Sequence, residues 1–251
     1  MSYSRAKSIK LSIDFLNFSK ALFNLMKPRV MSLVIFTCVV GLLIAPEKVN
    51  YLDSVISIIA VALGSGAAGA LNMWYESDLD SIMTRTCLRP IPTGKVTRNQ
   101  ALIFGVLTSI ISVTVLYFFS NLTATLTLLT TILFYVFVYT IWLKPKTPQN
   151  IVIGGAAGAL PPVIGWAIAT GDISLESIIL FLIIFMWTPS HFWALSLYKT
   201  EDYKNAKIPM LPVISGIKFT KINIFVYSAL LFPIIITPYF LGYLDRKSTR
   251  L

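Results

Sequence analysis

This 251-residue sequence has little charge: charged residues make up 13% of it, with 11 Asp and Glu, one histidine and two cysteines. Soluble domains run nearer a quarter charged, so too little polar surface is present to cover a water-facing fold. A hydrophobic fraction of 56% excludes intrinsic disorder. Cys38 and Cys87 stand far apart in no CxxC or CxxH pattern, which excludes a disulfide scaffold and argues against a cysteine metal site or covalently attached haem. No apolar stretch with a cleavage site precedes the first long apolar run, so no removed signal peptide is expected. The net charge of +10 would point to nucleic acid in a soluble protein. With a mean hydropathy of +0.76 it points instead to retained basic loops, and no nucleic-acid partner is expected.

What is present is a series of long apolar runs. Hydrocarbon about 30 Å thick needs roughly 20 apolar residues per helix. Seven runs qualify, at about 30–46, 54–74, 101–119, 122–143, 151–170, 175–195 and 224–244. They are too long, and too apolar all round, for barrel strands of about 10 alternating residues. The expected class is an all-α polytopic membrane protein in a lipid bilayer. Its parts are an N-terminal segment 1–29, a transmembrane domain 30–244 and a polar tail 245–251.

The basic residues give the orientation. Arg5, Lys7, Lys10, Lys20, Lys27 and Arg29 precede the first run; Arg85, Arg89, Lys95 and Arg98 follow the second. Lys144 and Lys146 follow the fourth, and Lys199, Lys204, Lys207, Lys218 and Lys221 the sixth. Only Lys48, Arg246, Lys247 and Arg250 fall on the other side. By the positive-inside rule the N-terminus and the three long loops are cytoplasmic, and a bacterial inner membrane is the expected location. The small-residue stretches Gly64–Ala70 and Gly154–Gly158 are expected to let helices pack closely.

Two polar clusters stand at the cytoplasmic ends. Asn72, Glu76 and Asp80, spaced i, i+4 and i+8, share one helical face, while Asp78 points elsewhere. Two carboxylates one turn apart repel, and a divalent cation relieves the conflict. Few hard oxygen ligands suit Mg²⁺, which completes its shell with water and phosphates. Arg85 and Arg89 follow, and guanidinium groups match phosphate oxygens. The segment reads either as a Mg²⁺–diphosphate site or as a solvated loop of mixed charge. The second cluster holds His191, Tyr198, Lys199, Asp202 and Lys204. His191 reads as an interfacial histidine among aromatic residues, or as a proton carrier or haem ligand.

Together these clusters resemble the UbiA superfamily of intramembrane prenyltransferases, and within it the branch that farnesylates protohaem IX. The resemblance rests on residues 25–33 (LMKPRVMSL), Asn72 through Asp80 with Arg85 and Arg89-Pro90, and residues 147–155 (TPQNIVIGG). It also rests on residues 161–166 (PPVIGW), His191 through Leu195, Asp202-Tyr203-Lys204 and residues 208–213 (IPMLPV), in family order. It implies a UbiA-type bundle of nine helices, with seven supplied here. It implies transfer of farnesyl from farnesyl diphosphate to the 2-vinyl group of haem B. The product, haem O, leads to haem A and terminal oxidases, with a haem A synthase or oxidase assembly factors as partners.

Carried over by position, Asn72, Glu76 and Asp80 match the first Mg²⁺–diphosphate motif. Glu76 stands where family members often have Asp, and Asp202 stands in the second acidic motif as a further metal ligand. Lys27, Arg29, Arg85, Arg89, Lys146, Tyr198, Lys199 and Lys204 fall to substrate binding, and His191 to the chemistry. Trp74, Tyr75, Trp166 and Tyr198 offer π faces to an allylic cation. Within the superfamily the alternative acceptor is an aromatic or quinone precursor. A transporter fits the composition but not the near absence of mid-membrane charge. Because the family has nine spans and residues 245–251 place basic residues on the disfavoured side, the expectation is that the chain is truncated and its tail not the family's own.

Overall fold

The computed structural model describes residues 16–47 and 49–242, and among these every regular element is a helix. Helix α1 (Leu16–Leu25) leads into α2 (Pro28–Ile44), α3 (Tyr51–Tyr75), the short α4 (Ser77–Ile82) and α5 (Arg98–Phe119). Helix α6 (Leu122–Leu133) continues as a π-helix over Phe134–Leu143. Then come α7 (Asn150–Ala159), α8 (Pro161–Thr170), α9 (Leu175–Tyr198), α10 (Thr200–Asn205) and α11 (Leu211–Phe240).

Among the described residues six helices are long and apolar enough to cross a membrane: α3, α5, α6 with its π-helix, α7 joined to α8, α9 and α11. Helices α1 and α2, bent by 54°, make a seventh if they count as one span. The protein is therefore a multi-pass helical membrane protein of six to seven described spans. Exposed side chains such as Phe118, Phe225 and Phe232 face outward, as a surface solvated by lipid requires.

Two boundaries differ from the sequence reading. The first apolar run is α2, only 17 residues long, reached through a sharp turn. Lys27 at that turn adopts the left-handed conformation (φ 53°), and Pro28, which disfavours helical geometry in the residue before it, opens α2. The last run starts earlier than expected. Helix α11 begins at Leu211, is interrupted at Gly216 (φ 78°, ψ 168°) and passes through the exposed Lys218 and Lys221. Hydropathy places those lysines in a loop, but their long stems let them ride on a helix while their ammonium groups reach water. Residues 1–15, Lys48, residues 243–244 of the last run and the tail 245–251 lie outside the described residues.

Helix α3 packs on α5, α2 on α8 and α9 on α11. In lipid such pairs are held by close backbone approach rather than by a hydrophobic driving force. The α2–α8 pair shows why glycine is needed. A methyl group at Gly41 would collide with the Pro162 carbonyl, and one at Gly165 with the Cys38 carbonyl.

Local signals in turn fix the ends that matter for function. Helix α5 starts at a capping box in which Thr97 Oγ1 accepts from Gln100 N at 3.2 Å and Gln100 Oε1 accepts from Thr97 N at 2.9 Å. That box, with buried Val96, anchors the far end of the loop 83–97.

Candidate active site

Asn72, Glu76 and Asp80 are buried, at 2%, 4% and 3% exposure. The helix that carries them is not continuous: α3 ends at Tyr75, and Glu76 (φ −88°, ψ 10°) joins it to α4. The i, i+4 ladder survives the joint, because Glu76 N–H donates to Asn72 O at 2.9 Å and Asp80 N–H to Glu76 O at 2.8 Å. The three side chains therefore follow one another up one side. Asp78, by contrast, is exposed and pairs with Arg98 at 3.2 Å. Such a surface pair contributes little.

A carboxylate taken out of water costs several kcal/mol unless it is paired. Each of the two buried here has a cation. One nitrogen of Arg89 donates to both oxygens of Asp80 at 2.8 Å, and among the described residues the rest of the guanidinium makes no further hydrogen bond. Lys144 Nζ stands 2.5 Å from Glu76 Oε1, yet that buried oxygen has no hydrogen bond of normal geometry. Both observations hold at once: the ammonium neutralises the carboxylate by proximity, without the angles of a hydrogen bond. Lys27 Nζ donates to Asn72 Oδ1 at 2.5 Å, and Asn72 Nδ2 donates to Thr140 Oγ1 at 3.0 Å. Lys27, Lys144 and Arg89 thus surround the acidic row.

This donor set fits a hard divalent ion. Among the described residues no three His, Cys, Asp or Glu gather into a metal cage. An amide oxygen and two carboxylates, one of them with the under-coordinated Glu76 oxygen, are instead what Mg²⁺ takes when water and phosphate complete its shell.

Below the row, an apolar cavity of about 110 Å³ lies among α2, α3, α6 and the α7–α8 span, with Lys27 and Tyr135 in its wall. A second, open pocket of about 260 Å³ is formed by Asn24, Met73, Arg85, Leu88, Arg89, Pro90 and Lys95. Arg89 is common to this pocket and to the Asp80 pair.

The remaining predicted residues are placed as follows. Arg85 is exposed in the second pocket and does not bond to the acidic row. Asp202 accepts from the Thr84 hydroxyl at 2.9 and 2.8 Å, and so ties α10 to the loop after α4. His191 is exposed on α9, stacked on Trp187 at 4.3 Å and edge-on to Phe192 at 5.7 Å. Arg29, Lys146, Tyr198, Lys199 and Lys204 are exposed. Trp74 and Tyr75 form a tilted pair at 6.2 Å, and Trp166 is buried in α8. Lys144 and Thr140 enter the site although nothing in their sequence neighbourhood singles them out. Their partners, Asn72 on α3 and Glu76 at its end, lie 68 residues away.

Fold and site together define a class: a multi-pass helical membrane protein with buried carboxylates and cations gathered at one end of its helices. The chain belongs to the UbiA prenyltransferase family, whose model matches residues 34–247. It is 68% identical over 240 residues to a Pelagibacter ubique protein named protoheme IX farnesyltransferase, an alignment covering 95% of this chain and 79% of that one. A protein of the same name from Ehrlichia ruminantium is 59% identical over 215 residues, covering 86% and 73%. The fold matches that of a UbiA homologue from Archaeoglobus fulgidus solved bound to GPP and Mg²⁺, with a TM-score of 0.70 at 16% identity over 89% of this chain and 84% of that one.

Proposed function

We propose that the chain transfers the farnesyl group of farnesyl diphosphate to the 2-vinyl group of haem B, giving haem O and diphosphate, at the cytoplasmic face of a bacterial inner membrane. The observation that carries this reading is the buried Asn72–Glu76–Asp80 row. It is ringed by Lys27, Lys144 and Arg89 and stands above an apolar cavity, in a chain 68% identical to a protein named for that reaction.

Asn72, Glu76 and Asp80 would hold Mg²⁺, which when bound neutralises charge on a departing diphosphate. Lys144 and Arg89 turn from the carboxylates, and Lys27 from the Asn72 amide oxygen, to the phosphate oxygens, where charge develops as the allylic C–O bond breaks. The apolar cavity takes the prenyl chain and keeps water from the allylic cation. The terminal carbon of the vinyl group then bonds to that cation. Water adds to the resulting cation on the porphyrin side and releases a proton. Farnesyl diphosphate, haem B and water thereby become haem O and diphosphate.

Haem B carries two propionates, and carboxylates at a membrane surface need cations. Arg85 and Lys95, neither of them ion-paired among the described residues, supply these in the second pocket, with Met73, Leu88 and Pro90 as its apolar wall. Under this reading Arg85 serves the acceptor rather than the diphosphate.

The test is direct. Membranes containing the protein, given haem B and farnesyl diphosphate, should yield a new, more hydrophobic haem on pigment extraction, and Asp80→Ala and Glu76→Ala should reduce it at least a hundredfold. Wild-type rates in both variants would sink the proposal. Prenylation of an aromatic acid in place of haem would reassign the acceptor.

A further inference from the structure

The π-helix over Phe134–Leu143 and the residue that caps it meet α3 and its end in matching register: Thr140 meets Asn72 and Lys144 meets Glu76, each pair 68 residues apart. The geometry of the helix explains how. An α-helix turns about 100° per residue, so a step of four overshoots a full turn by about 40°. A π-helix, closed by i→i+5 bonds, takes about 4.4 residues per turn, and the same step falls about 30° short. The row Ala124, Leu128, Ile132, Val136 and Thr140 is buried throughout, and Lys144 continues it at the same spacing. A spacing of four held over such a length drifts around a pure α-helix. The π segment reverses the drift and brings Thr140 and Lys144 back to the α3 side.

Hydrogen bonding at Thr140 then leaves one arrangement. Its hydroxyl has one proton, which is donated to Tyr135 O at 2.9 Å, an i−5 bond available in a π-helix. Toward Asn72 the oxygen of Thr140 therefore only accepts, so it requires the Nδ2 side of the carboxamide. Lys27 only donates, so it requires the Oδ1 side. Two independent partners agree on one orientation, and both Asn72 and Thr140 are buried, at 2% and 1% exposure.

We infer that Thr140 is a positioning residue for Asn72: it holds the amide nitrogen away so that the amide oxygen faces the cation and metal site. This rests on the proposed role of Asn72 as a Mg²⁺–diphosphate ligand. Without the hydroxyl, Lys27 alone fixes the carboxamide, and once Lys27 turns to the diphosphate nothing keeps the amide nitrogen from the metal. Partners that orient a metal ligand typically account for 10- to 100-fold in metal affinity.

The experiment measures the thermal stabilisation of the detergent-solubilised protein by Mg²⁺ with inorganic diphosphate, alongside haem O formation. Thr140→Val should need about tenfold more Mg²⁺ for half-maximal stabilisation and for half-maximal activity, with the KM for haem unchanged. Thr140→Ser, which keeps the hydroxyl, should behave as wild type. In an Asn72→Ala background Thr140→Val should add nothing, because Thr140 acts through Asn72. Should Thr140→Val fail to fold, Thr140→Cys carries the same expectation, since a thiol is a weak donor and acceptor. A wild-type Mg²⁺ requirement in the valine variant, or additive effects of the two substitutions, would overturn the inference. If the wild-type protein itself gains no stability from Mg²⁺ and diphosphate, the metal-site reading is what fails.

Discussion

Glu76 and Asp80 are buried beyond what a lone carboxylate tolerates, and the cations beside them are therefore as much a part of the site as the acids. Lys144 gives the sharpest check. It touches Glu76, whereas Lys146, two residues on, is exposed on the same loop. A charge-assisted contact contributes about 1.5–3 kcal/mol, so Lys144→Ala should raise the KM for farnesyl diphosphate by about tenfold or more. Lys146→Ala should leave it within about twofold. Steady-state kinetics on membranes would decide, and an equal effect of both variants would assign the role to net loop charge. The sequence distinguishes the acidic row, because i, i+4, i+8 spacing is a local property. It does not distinguish Lys144 from Lys146, because that choice depends on a π-helical register and on a partner helix far away in the chain.

At the scale of elements, breaks in helices build the site. Glu76 joins α3 to α4, the left-handed Lys27 turns α1 into α2, and the π segment turns α6 toward α3. A non-glycine residue held at positive φ costs of order 1–3 kcal/mol and persists only where its surroundings enforce it, as the bond from Lys27 to Asn72 does here. Apolar run length shows where spans lie, and it locates the interior spans well. It says nothing of where a helix pauses without losing direction, which is why the Glu76 joint and the Gly216 break are visible only in the fold. The loop 83–97, held between the Asp80–Arg89 pair and the Thr97 capping box, presents Arg85 and Lys95 on one pocket. If this pocket receives the propionates, Arg85→Ala and Lys95→Ala should each raise the KM for haem about three- to tenfold and leave that for farnesyl diphosphate unchanged. With haem dimethyl ester, which has no carboxylate charge, the variants and the wild type should converge. A rise in the KM for farnesyl diphosphate instead would return Arg85 to the diphosphate.

For the whole molecule, the decisive quantity is the side of the membrane on which each loop lies. The acidic row, the Arg85 pocket and the Asp202–Thr84 tie all collect at one end of the bundle. The loops at the other end are short, and the α8–α9 turn there carries Asp172 and no basic residue. Basic loops resist translocation, so the site end should face the cytoplasm, where farnesyl diphosphate is soluble and Mg²⁺ abundant. The chain carries its own reporter. Cys87 is partly exposed in the loop 83–97, and Cys38 is buried in α2. In intact cells whose outer membrane has been made permeable, a membrane-impermeant maleimide should leave the wild-type protein unlabelled, and lysis should expose Cys87. A cysteine placed at the opposite end by Asp172→Cys, next to the left-handed Gly171, should label before lysis. Labelling of Cys87 before lysis, or of Asp172→Cys only after it, would invert the molecule. It would also place the diphosphate chemistry on the side of the membrane that lacks its substrate.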